Sequence, residues 1–326
     1  MTLDVLIIGA GLSGLAVART LQAHGMTNMR LVEKSRGPGG RLASKRLEGA
    51  RADIGAQFMT ARDPRFHAVL EDAMAAQAVA VWSPRMGKLT AQGLVFSPDT
   101  ELRYLGVPYM NAFARFLADD LEIDTQQRVE SVSNVGDGWQ VVTSTTAWTA
   151  RHVVITAPLE QLRDLLPDPT LHTMVHGFQS LPTWTAVVHS TSQLLTDDGQ
   201  PLDAAFGDGQ WFDFISREGS RPRRNSSYWV CHSAPAFSQQ HLEDSPEVVG
   251  QHLCQALEDQ LNFAATPVLA HRWRFARPAN PDRTAQKGAV QLAPGLWACG
   301  DGLAGGRCEG AYLSGLEVAD RILAGL

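Results

Sequence analysis

The sequence predicts an α/β protein that combines a parallel sheet flanked by helices with a second, largely antiparallel sheet. Three patterns lead to this fold class. First, an apolar run, a glycine-rich turn, a helical stretch and another apolar run follow one another over residues 5–33. Second, the apolar run 153–156 is typical of a buried parallel strand. Third, residues 159–287 contain aromatic-rich strand patterns and one amphipathic helix, which indicates a separate sheet.

The first unit is built on Gly-Ala-Gly-Leu-Ser-Gly at residues 9–14. A strand before this motif and a helix after it are the context of a dinucleotide-binding turn. In that turn Gly9 sets the bend, Gly11 lets the backbone approach a pyrophosphate, and Gly14 lets the helix pack closely on the sheet. Glu33 ends the second strand, where an acid accepts hydrogen bonds from a ribose diol. The predicted cofactor-binding residues of this unit are Gly9, Gly11, Leu12, Ser13, Gly14 and Glu33.

Composition excludes several classes of protein. The 326 residues allow two domains, and the net charge of −6 argues against nucleic-acid binding. The sequence shows no signal peptide and no apolar run of bilayer length. The four cysteines have neither CxxC nor metal-ligand spacing. We therefore expect a cytoplasmic protein with reduced thiols, no membrane partner and no metal.

The next two segments extend the cofactor site. The loop 34–41, Lys-Ser-Arg-Gly-Pro-Gly-Gly-Arg, offers backbone N–H groups and cationic side chains to phosphate oxygens. A flexible solvated loop is the alternative, and the position directly after the dinucleotide unit favours phosphate. Gly55, within the segment 53–58, indicates backbone that passes close to a large flat group. The residues expected at the cofactor here are Lys34, Gly40, Arg41, Ala56, Gln57 and Phe58.

The order of these motifs resembles the flavin amine oxidase superfamily, and segments 34–41 and 53–58 look like its renalase branch. The resemblance implies FAD as the cofactor. It also implies a Rossmann-like FAD-binding domain, a parallel sheet with helices plus a β-hairpin or meander. An α+β substrate-binding domain built on a mixed, largely antiparallel sheet would be inserted into it. The expected domains are 1–65, 106–158 and 288–326 for FAD, and 66–105 and 159–287 for the substrate.

The resemblance also assigns roles near the C-terminus. Asp301, after the strand 296–299, would bond the ribityl chain, and Val129 would offer its backbone to the adenine. The final helix would point its N-terminus at the flavin, through the backbone of Gly310, Ala311 and Tyr312. Cys308 lies in a different segment from the cysteines that bind flavin covalently, so noncovalent FAD is expected. We expect the inward face of this helix to carry Leu313, Leu316, Ala319 and Leu323.

The renalase resemblance implies oxidation of 2- and 6-dihydro-NAD(P) isomers to NAD(P)⁺ by hydride transfer to flavin N5, with O₂ reduced to H₂O₂. The expected partners are this small-molecule substrate and O₂. Six of the eight tryptophans lie between residues 139 and 273, which suits a flat substrate. The predicted catalytic residues are Gln57, Phe58, His232 and Arg274.

Alternatives remain for these residues and for the function. A half-buried structural histidine is an equal interpretation of His232, and an arginine on a strand more often faces solvent than a pocket, as Arg274 would. The charged run 217–224 is typical of a solvated loop. An amine oxidase, a desaturase and a flavin redox sensor without turnover are alternative functions. None of the lysines at 34, 45, 88 and 287 matches the lysine that reaches flavin N5 in amine oxidases.

Overall fold

The computed structural model describes residues 2–90, 93–98, 100–280 and 288–325. Lys287 and the end of the expected substrate domain lie outside the described residues. The α-helices of the described ranges are α1 (Leu12–Ala23), α2 (Pro64–Ala75), α3 (Asn111–Leu117), α4 (Leu162–Leu165), α5 (Pro235–Gln240), α6 (Pro246–Leu261) and α7 (Cys308–Ala324). Short 3-10 turns lie at Gly40–Leu42, Leu159–Gln161, Pro169–Val175, Glu218–Ser220 and Asp301–Leu303.

The strands in chain order are β1 (Thr2–Ile8), β2 (Met29–Glu33), β3 (Ser44–Leu47), β4 (Ala50–Asp53), β5 (Val79–Trp82), β6 (Met86–Thr90), β7 (Gly93–Phe96), β8 (Arg103–Gly106), β9 (Ile123–Thr125), β10 (Val129–Asn134), β11 (Trp139–Thr143), β12 (Ala147–Ile155), β13 (Ser180–His189), β14 (Leu194–Leu195), β15 (Pro201–Leu202), β16 (Ala204–Phe206), β17 (Phe212–Arg217), β18 (Tyr228–Ser233), β19 (Thr266–Pro278), β20 (Ala289–Ala293) and β21 (Leu296–Cys299).

The first sheet has the predicted dinucleotide-binding topology. β1 lies between β2 and β12 and runs parallel to both, with Ile8 opposite Val32 and Ile155. β9 continues the sheet beyond β2, and β21 pairs in parallel with the end of β12. The antiparallel pair β10–β11 joins through β11 to the start of β12. The predicted α/β fold class, including the hairpin and the returning strand near residue 153, is therefore confirmed.

The glycines of the first turn have the steric roles expected of them. Gly9 has a φ of 103°, which a side chain would disfavour. A Cβ at Gly14 would lie 2.0 Å from the Gly9 carbonyl oxygen, whereas a Cβ at Gly11 would meet nothing within 4 Å. The close packing of α1 on the turn therefore depends on Gly14, and Gly11 faces open space.

The final helix packs on α1 chiefly through small residues, with the predicted leucines at the margin of the contact. A Cβ at Gly315 would lie 2.4 Å from the Ser13 carbonyl oxygen, so the two helix backbones are close. Such a contact selects small residues, and it places the larger leucines at its partly exposed edges. Ala319 is buried as predicted, while Leu313, Leu316 and Leu323 are only partly buried. The buried residues of α7 are Tyr312, Ser314, Gly315, Val318, Ala319 and Ile322.

The second sheet has seven strands among the described residues, in the order β19-β13-β18-β17-β16-β6-β7. Alternate residues face opposite sides, as the pleat of a β-strand requires. One face, which carries Trp184 and Trp229, packs against Leu253 and Leu257 of α6. The other face, which we call the inner face, packs Val187 and Val230 against Ala52 and Ile54 of the β3–β4 hairpin.

The segment 66–105 contributes to both parts of the molecule. Phe66 and Leu70 of α2 belong to the same apolar cluster as α1. β6 and β7 instead complete the seven-stranded sheet, with β6 parallel to β16. No helix of the described ranges has the length and apolar character needed to cross a bilayer.

We predict that Gly14→Ala lowers the free energy of unfolding by about 2–3 kcal/mol, because the added methyl group overlaps the Gly9 carbonyl. Gly11→Ala is the matched control, because it adds the same methyl group in open space and should leave the stability of the flavin-free protein nearly unchanged. Urea denaturation of both flavin-free variants measures the difference. Equal losses would show that the tight contact at Gly14 does not limit stability.

Candidate functional site

The N-terminus of α1 is arranged to receive an anion. The helix begins after Gly11 without a side-chain cap and with no acidic residue in its first turn. A Cβ at Gly40 would lie 3.4 Å from the Gly11 Cα, so the backbones of the two glycine-rich loops approach each other. Uncapped N–H groups and the helix dipole favour a phosphate at this position. These residues therefore fit a pyrophosphate.

Glu33 shapes the loops on either side of this position. Its buried carboxylate accepts hydrogen bonds from Ala10 N at 2.9 Å and from Ser35 N at 2.7 Å. Each carboxylate oxygen retains a lone pair, so Glu33 can also accept from a ribose diol. Lys34 is exposed, and Val129 begins β10 with its backbone in the hairpin.

Arg41 and Asp301 join the second glycine-rich loop to the C-terminal segment. Arg41 Nη1 donates to Asp301 Oδ2 at 2.9 Å and to the Ala276 carbonyl at 2.9 Å. Its Nη2 makes a second, short bond to the same carboxylate. The pair lies in a pocket that Thr156, Pro158 and Gly300 help to line. A half-exposed guanidinium beside a carboxylate fits a ligand with both phosphate and hydroxyl groups.

The N-terminus of α7 lies next to this pair and also lacks a side-chain cap. A Cβ at Gly310 would lie 1.9 Å from the Ala304 carbonyl oxygen, which explains the glycine. Ser13 Oγ donates to the Ala311 carbonyl at 2.7 Å, so α1 and α7 are connected. The Tyr312 ring is buried against Phe66, with ring centroids 5.4 Å apart, which leaves only its backbone for a cofactor.

The glycine at position 55 has a steric cause within the chain. A Cβ at Gly55 would lie 1.9 Å from the Arg41 carbonyl oxygen, and Ala56 N donates to the same oxygen at 2.9 Å. The glycine therefore lets segment 54–57 pack on the Arg41 backbone. The expectation that this backbone also passes close to a large flat group stays a prediction.

Gln57 is buried, and its side chain is held by several partners. Its Nε2 donates to the carbonyls of Asp53 at 2.7 Å and Gly55 at 2.9 Å. Its Oε1 accepts from Ser216 Oγ at 2.9 Å and from Arg221 Nη2. The Gln57 amide therefore fixes the conformation of segment 53–58, which presents Ala56 and Phe58.

In the charged run 217–224 the side chains of Glu218, Arg221 and Arg224 are buried while Arg223 is exposed, so the prediction of a solvated loop is wrong for those three residues. The side chains of Arg221, Glu218 and Asp53 are fully buried, and that of Arg224 is 4% exposed. Arg221 Nε lies 3.0 Å from Glu218, and Arg224 Nη2 donates to Asp53 at 2.6 Å. Burial raises the pKa of Glu218, and the two arginines oppose this shift. The four ion-paired residues Asp53, Glu218, Arg221 and Arg224 are called the buried ion cluster below.

His232 belongs to a row of residues that cross the inner face. His271, Thr185, His232 and Phe214 lie directly opposite one another on β19, β13, β18 and β17. Residues opposite one another in an antiparallel pair point to the same face. Within the described chain, the buried atoms His232 Nε2 and Thr185 Oγ1 have no hydrogen-bond partner. Two adjacent unsatisfied polar atoms mark a position where a ligand or water would bind.

Both histidines of this row are neutral near pH 7. Burial lowers the pKa of His232 to about 4; Asp213 opposes this shift, and Arg221 and Arg277 strengthen it. Burial, with the nearby Lys45 ammonium, lowers the pKa of His271 to about 4. A neutral imidazole can accept or donate a hydrogen bond without adding charge to the site.

Phe58 forms the aromatic part of the site. Its ring centroid lies 5.5 Å from that of Phe214 and 6.3 Å from that of Trp82. The Arg103 guanidinium lies 5.2 Å from the Phe58 ring centroid. Phe206 extends this surface, 5.2 Å from Phe214. The aromatic group joins the inner face to the segment that Gln57 fixes.

Arg274 lies away from this site, so the predicted pocket role does not agree with the structure. Its guanidinium is partly exposed and makes two 2.7 Å bonds to Glu243. Arg277 is the arginine near His232, and it pairs with Asp213 at 2.6 Å. Arg277 lies an even number of residues from His271 and pairs with Leu181, so strand alternation puts it on the inner face, whereas Arg274 points to the other face.

The structure thus brings Gln57, Phe58 and His232 together and leaves Arg274 outside. Sequence reasoning missed Thr185, Arg221 and Arg277. One sequence feature could have indicated this part of the site: Thr185 is a polar residue within the apolar strand 184–188. Two uncapped helices and a glycine-rich loop lie on one side of the site, and the polar and aromatic inner face of the seven-stranded sheet lies on the other. This arrangement defines the class of the protein: an α/β protein with a nucleotide-cofactor site that faces a second sheet.

Comparison with models of known protein families identifies the family of this chain. Residues 7–73 match the model of an NAD(P)-binding Rossmann-like domain, and residues 91–323 match that of flavin containing amine oxidoreductases. The second match spans more than half of the chain, which therefore belongs to the flavin containing amine oxidoreductase family. When bound, a flavin supplies a hydride acceptor, and the protein supplies orientation and electrostatics.

Individual relatives are similar over different lengths. Protein FLOWERING LOCUS D of Arabidopsis thaliana is 45% identical over 61 residues, which are 18% of this chain and 8% of that protein. A protein from Exiguobacterium sp. 255-15, provisionally named a protoporphyrinogen oxidase, has a TM-score of 0.81 at 14% identity, covering 100% of both chains. A putrescine oxidase has a TM-score of 0.73 at 15% identity, covering 99% of both. A fatty acid isomerase from P. acnes has a TM-score of 0.76 at 10% identity, covering 98% of both chains. At identities of 10–15% these three solved structures show that the fold is shared, and they show nothing about the function of this chain.

We predict that Arg221→Met lowers the free energy of unfolding by about 3–5 kcal/mol, because it leaves Arg224 as the one cation of the buried ion cluster to balance both Glu218 and Asp53. Arg274→Met is the matched control: it removes the same guanidinium from an exposed pair, which adds little to stability. Urea denaturation compares the variants. Similar unfolding midpoints for both variants would contradict the importance assigned to the buried ion cluster.

The pKa of His232 predicts how stability depends on pH. The folded pKa of about 4 lies below the ordinary 6.5, so the unfolded chain binds more protons between these values. Stability should therefore fall as the pH drops from 6.5 towards 4 and stay level above 6.5. His232→Asn removes this titration, and its stability should fall less between about pH 7.5 and about pH 4.5, by about 2–3 kcal/mol. Denaturation at both pH values measures this, and an equal loss in the two proteins would contradict it.

Proposed function

We propose that the protein is an FAD-dependent oxidase of renalase type. It binds FAD noncovalently and oxidises 2- or 6-dihydro-NAD(P) isomers to NAD(P)⁺, with O₂ as the acceptor. In this proposal the seven-stranded sheet belongs to the substrate-binding domain, and the protein acts in the cytoplasm. The family membership and the whole-chain fold support a flavin oxidoreductase, and the site suggests the substrate.

One observation carries the choice of substrate: the aromatic surface of Phe58 and Phe214 lies beside a neutral His232 whose buried Nε2 has no hydrogen-bond partner among the described residues. A dihydronicotinamide ring is planar, uncharged and already electron-rich. It can therefore give up a hydride without first losing a proton to a base, so stacking and hydrogen bonding suffice. An amine must instead lose its proton before oxidation.

FAD would be held by the residues that the structure groups around α1 and α7. Gly11 and Gly40 would receive the pyrophosphate, Glu33 the adenosine ribose, and Arg41 and Asp301 the centre of the dinucleotide. When bound, FAD would supply the hydride acceptor and would return the electron pair to O₂; the net reaction takes dihydro-NAD(P), O₂ and one proton to NAD(P)⁺ and H₂O₂.

Amine oxidation is a second candidate, because a lysine does reach the inner face. Lys45 Nζ lies 3.3 Å from His271 Nδ1, and the His271 ring lies 4.5 Å from that of Trp273. Lys34 and Lys88 are exposed. The dihydronicotinamide proposal ranks higher because Lys45 contacts His271 at the opposite end of the row from Phe58.

We expect 2- or 6-dihydro-NAD(P) to bleach the flavin absorbance rapidly in anaerobic stopped-flow measurements, with NAD(P)⁺ formed and H₂O₂ released when air is admitted. Ordinary NADH and amines should bleach it slowly. Phe58→Leu should slow bleaching about fivefold, since an aromatic contact contributes about 1 kcal/mol. Phe96→Leu, at an exposed ring, is the matched control.

The alternatives give distinct results. Rapid bleaching by amines alone would replace the proposal with amine oxidation. Bleaching by no donor, or reoxidation over hours in air, would favour a redox sensor without turnover. Flavin that stays with acid-precipitated protein would contradict noncovalent binding.

A further inference from the structure

We propose that His241, Asp244 and His252 form a binding site for a divalent transition-metal ion such as Zn²⁺. Within the described residues, one ligand atom from each side chain lies within 4.8 Å of the others, and no ion is present. Two imidazoles and a carboxylate are typical zinc ligands, and their mixed nitrogen and oxygen donors select transition metals over Mg²⁺. This proposal is independent of the flavin site.

The site lies on the outer side of the seven-stranded sheet, opposite the inner face. The His241 carbonyl accepts a hydrogen bond from Trp184 Nε1 at 3.0 Å, and the Trp184 ring is buried on the α6 side. Thr185, the next residue, faces the inner side, as strand alternation requires. The sheet therefore separates the proposed metal site from His232.

The backbone around two of the ligands is well fixed. The His241 ring stacks on Phe237, with centroids 4.3 Å apart and an angle of 32° between the ring planes. Asp244 N donates to the His241 carbonyl at 3.2 Å, which closes the turn between α5 and α6. Ser245 then caps α6, the helix that carries the third ligand. This preorganisation reduces the entropy lost when a metal binds.

The side chains already converge. The His241 and His252 rings lie 5.1 Å apart at an interplanar angle of 67°, so they do not stack on each other. Asp244 Oδ2 lies 2.7 Å from His241 Nδ1. A metal ion would take the place of the proton between these two atoms, with the Asp244 side chain rotating outward to allow bonds of about 2.0–2.2 Å.

The surroundings leave these three residues available. The Asp244 side chain is 39% exposed and that of His241 is 17% exposed, so water can reach a bound ion and complete its coordination. The neighbouring acid Glu243 is engaged by Arg272 and Arg274. A bound ion would connect the α5–α6 turn to the second turn of α6 and hold this end of the helix in place.

Isothermal titration of the flavin-loaded protein with ZnCl₂ tests the proposal. We expect one Zn²⁺ per chain, a higher unfolding temperature with Zn²⁺, and no such effect with MgCl₂. His252→Gln should weaken Zn²⁺ binding at least about tenfold. Gln251→Ala, at an exposed position of the same helix, is the matched control and should bind like wild type.

A second measurement does not depend on how a variant folds. The electron paramagnetic resonance spectrum of one equivalent of Cu²⁺ on the wild-type protein should show hyperfine splitting from two imidazole nitrogens. Absence of stoichiometric Zn²⁺ binding, a Cu²⁺ spectrum without nitrogen ligands, or equal loss of affinity in Gln251→Ala would overturn the proposal. None of these outcomes depends on which substrate reduces the flavin.

Discussion

The buried ion cluster is the constraint on which the position of the β3–β4 hairpin against the seven-stranded sheet depends. Removing a charged group from water costs several kcal/mol unless an opposite charge and hydrogen bonds replace the solvent. Asp53 ends the hairpin, which packs on the inner face, whereas Glu218, Arg221 and Arg224 follow β17 of the sheet. The two carboxylates and two guanidinium groups balance in charge only when the hairpin is docked on the sheet. Any other docking leaves a charge buried and unpaired, so the cluster favours this arrangement over alternatives.

The same cluster sets the geometry of the candidate site. Arg221 donates both to Gln57 and to Ser216, and its guanidinium lies over the Trp82 ring at 5.2 Å. Gln57 in turn fixes the segment that ends at Phe58. The position of the aromatic surface beside His232 is therefore a consequence of these paired charges. Burial lowers the pKa of His232, and the Arg221 guanidinium strengthens that shift. Structural stability and the polarity of the site come from one set of residues.

Much of the fold could be predicted because its signals are local. The glycine spacing at residues 9–14, the hairpin near residue 130 and the capped start of α6 each depend on residues close in sequence. The burial of charged residues in the run 217–224 could not be predicted, because their partner Asp53 lies more than a hundred residues away and the run alone resembles a solvated loop. The steric cause of Gly55 could not be predicted for the same reason, since the atom that excludes a side chain there belongs to Arg41. The prediction of Arg274 rested on its place next to Trp273, whereas strand alternation puts His271, Trp273 and Arg277 on the inner face and Arg274 on the other.

Alternate side chains of the seven-stranded sheet point to opposite faces, so the two faces have different roles. On β13, Thr185 joins the row that crosses the inner face, while Trp184 anchors the outer turn that carries His241. On β18, His232 faces inward and Cys231 packs in the outer core. A shift of one residue in either strand would exchange these environments, placing Trp184 against the hairpin and an imidazole in the apolar layer under α6. The fully buried Trp184 and Trp229 on the outer side strongly disfavour that shift, because they fit only the layer beneath α6. The outer aromatic core therefore preserves the strand register that places the polar row on the inner face.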